Sequence, residues 1–318
     1  MAKINWFNEL EDEDLLQCAG GKGASLCRMS CFNMPVPEGF VVSAQVFTDF
    51  MERSGLWDRV YEILDGEIDY ADNTSLYKAA KQIRDMIEEQ EMPEDIRSAI
   101  LDYYRQFGNN AAVAVRSSGT AEDLDDASFA GQQETFLYVI GEDDVVRYIQ
   151  MCWASLYNDR AIFYRNAKGF DERSISIAVV VQRMVNSEKA GVMFSVNPID
   201  KNPDVAVIEA AWGLGEGVVQ GIVTPDNYCV NKNTYEIVNE YISEKETMVV
   251  RLSEKGGVKE VEVEESLREA VVLTPEEIRT LVDMAKKVEQ YYNKSQDLEW
   301  AIENGKCYLL QSRPITTL

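Results

Sequence analysis

Apolar runs and helical repeats alternate along the chain and predict a mixed fold. Residues 45–106 are rich in helical patterns, whereas AVAVR at 112–116 is a short apolar run typical of a buried strand. β-Branched residues fill 175–184, and apolar runs at 191–196 and 205–210 predict two further strands. Together with the antiparallel hairpins predicted further along the chain, this pattern predicts an α+β fold.

The second half of the chain carries stronger signals for the ends of its elements. A helix with an aromatic face is predicted over 143–166, and the alternating charged stretch 240–265 predicts exposed antiparallel strands. Thr274 followed by Pro275 and two glutamates is typical of a capped helix start. We expect that helix to run to about Tyr292.

The last segment, DLEWAIENGKCYLLQSRP, predicts a hairpin around Asn304 and Gly305. Its large apolar residues all have even numbers: Leu298, Trp300, Ile302, Tyr308 and Leu310. One shared face requires cross-strand pairs whose numbers sum to an even value, because side chains alternate between faces. This parity predicts a three-residue loop, with Ile302 opposite Lys306.

The opposite face of this hairpin would carry Asp297, Glu299, Gln311 and Arg313. Three side chains with oxygen donors beside one guanidinium suit Mg²⁺ and a polyphosphate. A solvated outer face of a hairpin would carry similar residues, so the pattern alone leaves both interpretations open.

The charge balance limits the ligands of the chain. It has 318 residues and a net charge of −24, from 31 basic and 55 acidic residues. Such a surface repels nucleic acids and anionic membranes, and no apolar run approaches the roughly 20 residues needed to span a bilayer. Six scattered cysteines, no histidine and an acidic N-terminus without a signal pattern argue against a zinc site and for a cytoplasmic location.

Three further features each have a functional and an ordinary interpretation. Gly20–Gly23 with Lys22 precedes a helical pattern and would suit phosphate, or would form a simple turn. Arg116 ends the buried strand, where it would face a ligand or pair with a carboxylate. A second glycine cluster fails the dinucleotide pattern and favours a tight turn or a ligand-lining loop; it comprises Gly213, Gly215, Gly217 and Gly221.

Taken together, the motifs resemble a known family. GGKGASL, VAVRSSGTAEDLDDASFAGQQETFL, VVQRMV with AGVMFSVNP, GLGEGVVQG and DLEWAIENGKCYLLQSRPIT occur in this order over nearly the whole chain. They resemble the N-terminal nucleotide-binding domain of the family of phosphoenolpyruvate synthase, pyruvate phosphate dikinase and rifampin phosphotransferase. The resemblance implies an ATP-grasp fold of two lobes, 1–182 and 183–318, with ATP in the cleft between them.

The resemblance also implies the site residues. The residues expected to contact ATP are Lys22, Arg116, Gly131, Thr135, Gln182, Gln311 and Arg313. Glu299 and Gln311 would hold Mg²⁺, and Arg116 and Arg313 would act on the phosphates during transfer. The polar segment Ser117–Gly131 would be a mobile loop over the triphosphate.

In this family a phosphoryl group of ATP passes to a histidine on a separate domain, and AMP and phosphate are released. The chain has no histidine, so we expect the phosphohistidine carrier domain and the domain for pyruvate or another acceptor to lie outside it. Two alternatives remain: the ATP-binding domain of a rifampin phosphotransferase, and a nucleotide-binding module without catalysis.

Overall fold

The computed structural model describes residues 4–10, 14–66, 68–120, 134–171, 173 and 175–316. Helices and antiparallel sheets make up these residues, which confirms the predicted α+β class. The chain divides into two compact units: unit 1 comprises Met1–Cys27 and Glu38–Met184, and unit 2 comprises Arg28–Pro37 and Val185–Leu318. Among the described residues, no helix is both long and apolar enough to cross a membrane.

Unit 1 is built on a five-stranded antiparallel sheet in the order β1-β2-β5-β3-β4. The strands are β1 Ile4–Trp6, β2 Gly39–Val42, β3 Val113–Gly119, β4 Thr135–Val139 and β5 Ile177–Arg183. The predicted strands at 112–116 and 175–184 are therefore present as β3 and β5. Both have long buried stretches, as expected for strands covered on both faces.

One face of this sheet packs on helices and forms the main core of unit 1. Val113 and Val115 of β3, with Val179 and Val181 of β5, belong to this core. The helices that pack on it are α2 Ala44–Arg53, α3 Leu56–Gly66, α4 Asn73–Glu89, α5 Glu94–Tyr104, α6 Glu142–Ala154 and α7 Asp159–Lys168. The even-numbered residues of β3 lie on the opposite face, because successive side chains of a strand alternate.

The structure corrects one helix prediction and one loop prediction in unit 1. The predicted helix over 143–166 is divided into α6 and α7 by a 3₁₀ turn, because Asn158 caps a new helix by accepting a hydrogen bond from the Ala161 amide. The predicted loop at Gly20–Gly23 lies inside α1, Leu15–Cys31, which has a kink at Gly20.

Unit 2 contains a six-stranded antiparallel sheet in the order β13-β12-β6-β7-β8-β9. Its strands are β6 Lys189–Phe194, β7 Val205–Trp212, β8 Asp226–Asn231, β9 Ile237–Tyr241, β12 Gln296–Glu303 and β13 Lys306–Pro314. The predicted strands at 191–196 and 205–210 correspond to β6 and β7.

Smaller elements complete unit 2. They are α8 Glu216–Val219, β10 Thr247–Arg251, β11 Val258–Glu262, α9 Glu265–Arg268 and α10 Pro275–Tyr292. The antiparallel pair β10–β11 confirms the strands predicted within 240–265. In α10, Thr274 and Glu277 form a reciprocal capping box with Pro at the helix start, which confirms the predicted beginning of this helix. The helix ends at Tyr292, as predicted.

A buried ion pair joins three segments of unit 2. Asp226 at the start of β8 is 0% exposed and contacts the Lys245 ammonium, 1% exposed, at 2.5 Å. The amides of Ser243 and Val272 and the hydroxyl of Tyr228 also donate to the Asp226 carboxylate. A buried carboxylate needs this many partners, because desolvation of an ion is costly.

We therefore expect Asp226→Asn to lower the free energy of unfolding by about 3–5 kcal/mol, since it leaves Lys245 buried without its counter-charge. Glu254→Gln is the matched control, because it removes a carboxylate whose side chain is 95% exposed from an ion pair with Arg251. Its effect should stay below about 1 kcal/mol. Urea denaturation followed by circular dichroism measures both; equal effects would contradict a stabilising role for the buried pair.

Candidate functional site

The face of the unit 1 sheet opposite the core carries three of the predicted site residues. Arg116 in β3 lies directly opposite Thr135, the first residue of β4. Gln182 in β5 lies opposite Ala114, two residues before Arg116 along β3. Cross-strand partners share a face, and so do residues two apart, so all three side chains lie on one face. Arg116 is 7% exposed and Gln182 is 3% exposed.

The first part of α1 packs on this same face and places Lys22 beside it. A Cβ atom built at Gly23 would lie 3.5 Å from both Val41 and Val180, and Val180 pairs with Arg116. The ammonium of Lys22 donates a hydrogen bond to the carbonyl of Ser117 at 3.1 Å. The structure therefore brings Lys22 to the strand that carries Arg116. The predicted Gly131 lies outside the described residues.

The terminal hairpin of unit 2 carries the other predicted residues. Glu299 lies directly opposite Gln311, and Asp297 lies directly opposite Arg313. Because cross-strand pairs share a face and positions two apart along a strand do too, the four side chains lie together. The predicted polar face of the hairpin is thus confirmed.

The predicted three-residue loop is wrong. Glu303 pairs with Lys306, so only Asn304 and Gly305 form the turn, and both have positive φ values of 51° and 74°. This is the conformation expected for an Asn-Gly turn of type I′. The register changes further along, between the pairs Glu299–Gln311 and Trp300–Leu309.

A β-bulge at Leu310 accounts for this change of register. One extra residue on β13 turns an odd-sum pairing at the loop into an even-sum pairing at the polar end. Cys307 and Leu309 therefore face the buried side, whereas Tyr308 and Leu310 pack with a small cluster that contains Ala301. The expectation that Tyr308 and Leu310 continue the main apolar face was wrong for this reason.

Arg313 is oriented by its cross-strand neighbour. Its guanidinium contacts one oxygen of Asp297 through Nε at 2.7 Å and through Nη2 at 2.6 Å. The Arg313 side chain is 60% exposed and that of Asp297 is 12% exposed. The carboxylate thus anchors the inner side of the guanidinium, while much of the side chain remains accessible to a ligand.

A further carboxylate, Glu209, lies on the same sheet face and was not predicted. Glu299 pairs with Val192 in β6, and Val192 pairs with Glu209 in β7. Burial, and after it the negative charge of Asp297, raises the pKa of Glu209 above its ordinary value. The sequence held a signal: VAVIEAAW places one glutamate inside an otherwise apolar strand, where an isolated acid is unusual.

Glu299 and Gln311 provide a carboxylate and an amide oxygen as possible ligands for a cation. Among the residues that the structure describes, no group of three or more acidic, cysteine or histidine side chains is arranged to hold a metal ion. Mg²⁺ commonly takes one or two carboxylates and completes its octahedron with water and substrate phosphates. The pair therefore fits a magnesium ion shared with a phosphate chain better than a metal site closed by protein ligands alone.

Gly213, the first residue of the second glycine cluster, lies in a tight turn after β7. Gly213 has a φ of 81°, and a Cβ atom there would lie 2.4 Å from the carbonyl oxygen of Val249. Only glycine permits this close approach of two backbones. The ordinary interpretation, a turn that packs closely, therefore accounts for Gly213 without a nucleotide.

Comparison with known proteins places these observations in a family. The family model described as "Pyruvate phosphate dikinase, AMP/ATP-binding domain" matches residues 16–318. A probable phosphoenolpyruvate synthase of Methanocaldococcus jannaschii is 52% identical over 100% of this chain and 27% of that protein. A probable phosphoenolpyruvate synthase of Methanothermobacter thermautotrophicus is 46% identical over 99% of the chain and 46% of that protein.

A rifampicin phosphotransferase of Bacillus cereus is 38% identical over 98% of the chain and 36% of that protein. The chain thus spans less than half of the length of each of these relatives, and it corresponds to their nucleotide-binding part. The match of the family model to nearly the whole chain is the reason for the assignment: the chain belongs to the pyruvate phosphate dikinase AMP/ATP-binding domain family.

Proposed function

We propose that this chain is the ATP-binding part of a dikinase-type phosphotransferase like phosphoenolpyruvate synthase. A phosphoryl group of ATP would pass to a histidine on another domain or chain, with eventual release of AMP and phosphate. The observation that carries the proposal is the hairpin face, where Glu299 pairs with Gln311 and Asp297 pairs with Arg313. The side chains of a solvated hairpin face would be exposed, whereas Gln311 is 9% exposed and Asp297 is 12% exposed.

The proposal includes an ATP-grasp fold in which residues from both lobes, 1–182 and 183–318, bind the nucleotide. Lys22 and Arg116 would neutralise phosphate charge, and Thr135 and Gly131 would line the nucleotide site. Gln182 would lie near the adenine. This set is supported by the common sheet face of Arg116, Thr135 and Gln182, and by the bond that holds Lys22 to the same strand.

Glu299 and Gln311 would hold Mg²⁺, which neutralises charge on the phosphate chain when it is bound. Arg313 would contact a transferring phosphate through the side of its guanidinium that Asp297 leaves accessible. Phosphoryl transfer depends mainly on positioning and on charge neutralisation, so this chain can contribute most of the catalysis without a nucleophile of its own. Arg116 and Arg313 are the proposed catalytic cations.

The nucleophile must come from elsewhere, because the chain has no histidine. The proposed partners are a phosphohistidine carrier domain and a domain that binds pyruvate, in a cytoplasmic enzyme. The similarity to a rifampicin phosphotransferase supports a second candidate, in which the acceptor is rifampin. The acceptor domain decides between them, because the ATP motifs are common to both.

The test begins with calorimetry of the chain with ATP and Mg²⁺. The chain is then mixed with labelled ATP and a histidine-bearing carrier–acceptor fragment from a phosphoenolpyruvate synthase or from a rifampin phosphotransferase. Label on the carrier histidine and phosphorylation of pyruvate would support the proposal, and phosphorylation of rifampin alone would support the second candidate. Binding of ATP without transfer to either carrier would overturn both in favour of a non-catalytic module.

Arg313→Ala should slow transfer from ATP about tenfold to a hundredfold, because it removes a charge-assisted contact of about 1.5–3 kcal/mol. Lys306→Ala is the matched control, since Lys306 is an exposed cation on the same strand at the loop end of the hairpin. Single-turnover label transfer measures both variants. Unchanged transfer by Arg313→Ala, or equal losses in the two variants, would contradict the role of Arg313.

Glu299→Gln should weaken binding of ATP in the presence of Mg²⁺ about tenfold or more, because an amide is a poorer ligand for Mg²⁺ than a carboxylate. Binding of ATP without the metal should change little. The control is Glu303→Gln, on the same strand and the same face, where the carboxylate accepts a hydrogen bond from the Asn186 amide. Calorimetry with and without Mg²⁺ separates the two effects. A loss that does not depend on the metal would count against Glu299 as a ligand.

Glu209→Gln should stabilise the unliganded chain at about pH 7.5. The pKa of Glu209 is raised in the folded state, so its ionised form costs stability above that pKa, and the cost vanishes below the unfolded value of about 4.3. We expect a small gain, because solvent screens the half-buried Glu209, and a smaller gain towards pH 5.

If a cation bound at this face offsets the charge of Glu209, saturating ATP and Mg²⁺ should shrink that gain. Thermal unfolding of the wild type and the variant, with and without ligand, measures both effects. Glu240→Gln on the exposed strand β9 is the control and should show neither. A gain that ligand leaves unchanged would place Glu209 outside the metal and nucleotide site.

A further inference from the structure

The hydroxyl of Ser118 lies inside the hydrogen-bond ladder of α1. In a regular helix the amide of Gly23 would donate to the carbonyl of Ala19, four residues earlier. Here the Gly23 amide donates to Ser118 Oγ at 3.1 Å, and Ser118 Oγ donates to the Ala19 carbonyl at 2.8 Å. One hydroxyl therefore replaces a backbone bond and satisfies both of its ends. Insertion of a side chain into the ladder is a known cause of sharp helix kinks.

The backbone conformation at Gly20 leaves room in the helix for the Ser118 hydroxyl. Gly20 has a φ of 68° and a ψ of 178°, which interrupts the helix at the point where Ser118 enters. A Cβ atom at Gly20 would lie 2.3 Å from the Ser118 carbonyl oxygen and 2.4 Å from Ser118 Oγ. Glycine is therefore needed at this position for its conformation and for the space that it leaves. Ser118 is 0% exposed, so water cannot take over its two bonds.

Lys22 lies in the turn that this arrangement holds. It follows the kink by two residues and immediately precedes Gly23, whose amide Ser118 binds. Its ammonium donates to the carbonyl of Ser117, the residue before Ser118. Two consecutive residues of β3 thus fix both the backbone and the charged end of Lys22. Arg116 lies on the same strand and, two residues before Ser118, on the same sheet face.

We propose that Ser118 is a positioning residue, which sets Lys22 in register with Arg116 so that the two cations bind one phosphate chain. The inference rests on the proposed role of Lys22 in binding ATP. Without the inserted hydroxyl, the Gly23 amide and the Ala19 carbonyl regain a direct bond by straightening the helix, and Lys22 moves away from β3. Strand β3, which carries Arg116, thereby also positions Lys22.

The test compares Ser118→Ala with Ser155→Ala. Ser155 is also a buried serine of unit 1, and its hydroxyl donates to the Cys152 carbonyl at 2.7 Å. Both variants should lower the melting temperature by similar small amounts. Only Ser118→Ala should raise the Kd for ATP, by about tenfold. Equal effects of the two variants on Kd would overturn the inference, since a purely structural hydroxyl predicts that result.

A double-mutant cycle with Lys22→Ala shows whether Ser118 acts through Lys22. We expect Lys22→Ala to raise the Kd for ATP strongly in the wild type and much less in Ser118→Ala, whereas the changes in melting temperature should add. Additive effects on Kd would overturn the positioning role of Ser118 and leave the phosphate role of Lys22 unaffected. If Lys22→Ala leaves the Kd of the wild type unchanged, the phosphate role of Lys22 fails, and the inference falls with it.

Two conservative variants keep the test decisive if Ser118→Ala folds poorly. Ser118→Thr keeps the hydroxyl and should bind ATP within about threefold of the wild type. Ser118→Cys is close in size but has a weak donor and acceptor, so its Kd should rise as in Ser118→Ala. Loss of affinity in the threonine variant together with normal affinity in the cysteine variant would overturn the role of the hydroxyl.

Discussion

A polyphosphate binds an acidic protein only where cations are held in place against the surrounding field. This chain has 55 acidic and 31 basic residues, so a mobile lysine or arginine would readily pair with one of many carboxylates. In this structure the Lys22 ammonium donates a hydrogen bond to the carbonyl of Ser117, and the Arg313 guanidinium is held in an ion pair by its cross-strand neighbour Asp297. Each cation is thereby oriented before a ligand arrives, which reduces the entropy lost on binding.

The alternation of side chains along a strand creates room for these groups. In β3, the odd-numbered valines enter the core while Arg116 and Ser118 lie on the other face. In β12, Leu298 and Trp300 are fully buried while Asp297 and Glu299 lie opposite them. Charged groups can therefore be anchored on rigid strands without entering the core. Such strands hold a site more precisely than loops do.

Much of this could be predicted from the sequence, because alternation and capping leave clear patterns. The polar face of the terminal hairpin followed from the odd positions of its first strand, and the start of α10 followed from Thr274 and Pro275. The hairpin turn could not be derived in this way. Leu310 is apolar and fits either face, so parity alone did not distinguish a longer loop from a two-residue turn with a bulge.

The missed features share another cause, which is that they depend on residues far apart in sequence. The segment Gly20–Gly23 predicted a loop, but Gly20 forms a kink within a helix. The kink depends on Ser118, about a hundred positions later, whose hydroxyl enters the helix. Glu209 was visible as an acid within an apolar strand, yet the rise of its pKa comes from burial in the folded sheet and from the charge of Asp297 on a strand that is distant in sequence. Contacts of this kind become evident only when the sheet order is known.

If the hairpin face binds the nucleotide as proposed, its charge decides which form of the nucleotide it accepts. Asp297, Glu299 and Glu209 are three carboxylates beside one guanidinium, that of Arg313, and Asp297 already neutralises much of that cation. Free ATP would meet net repulsion here, as like charges at short range do. Binding of Mg²⁺ offsets part of the charge on both the carboxylates and the phosphates. Under the proposed function this face would therefore favour metal-bound ATP over free ATP, and the carboxylates that repel one another without a cation would be the source of that preference.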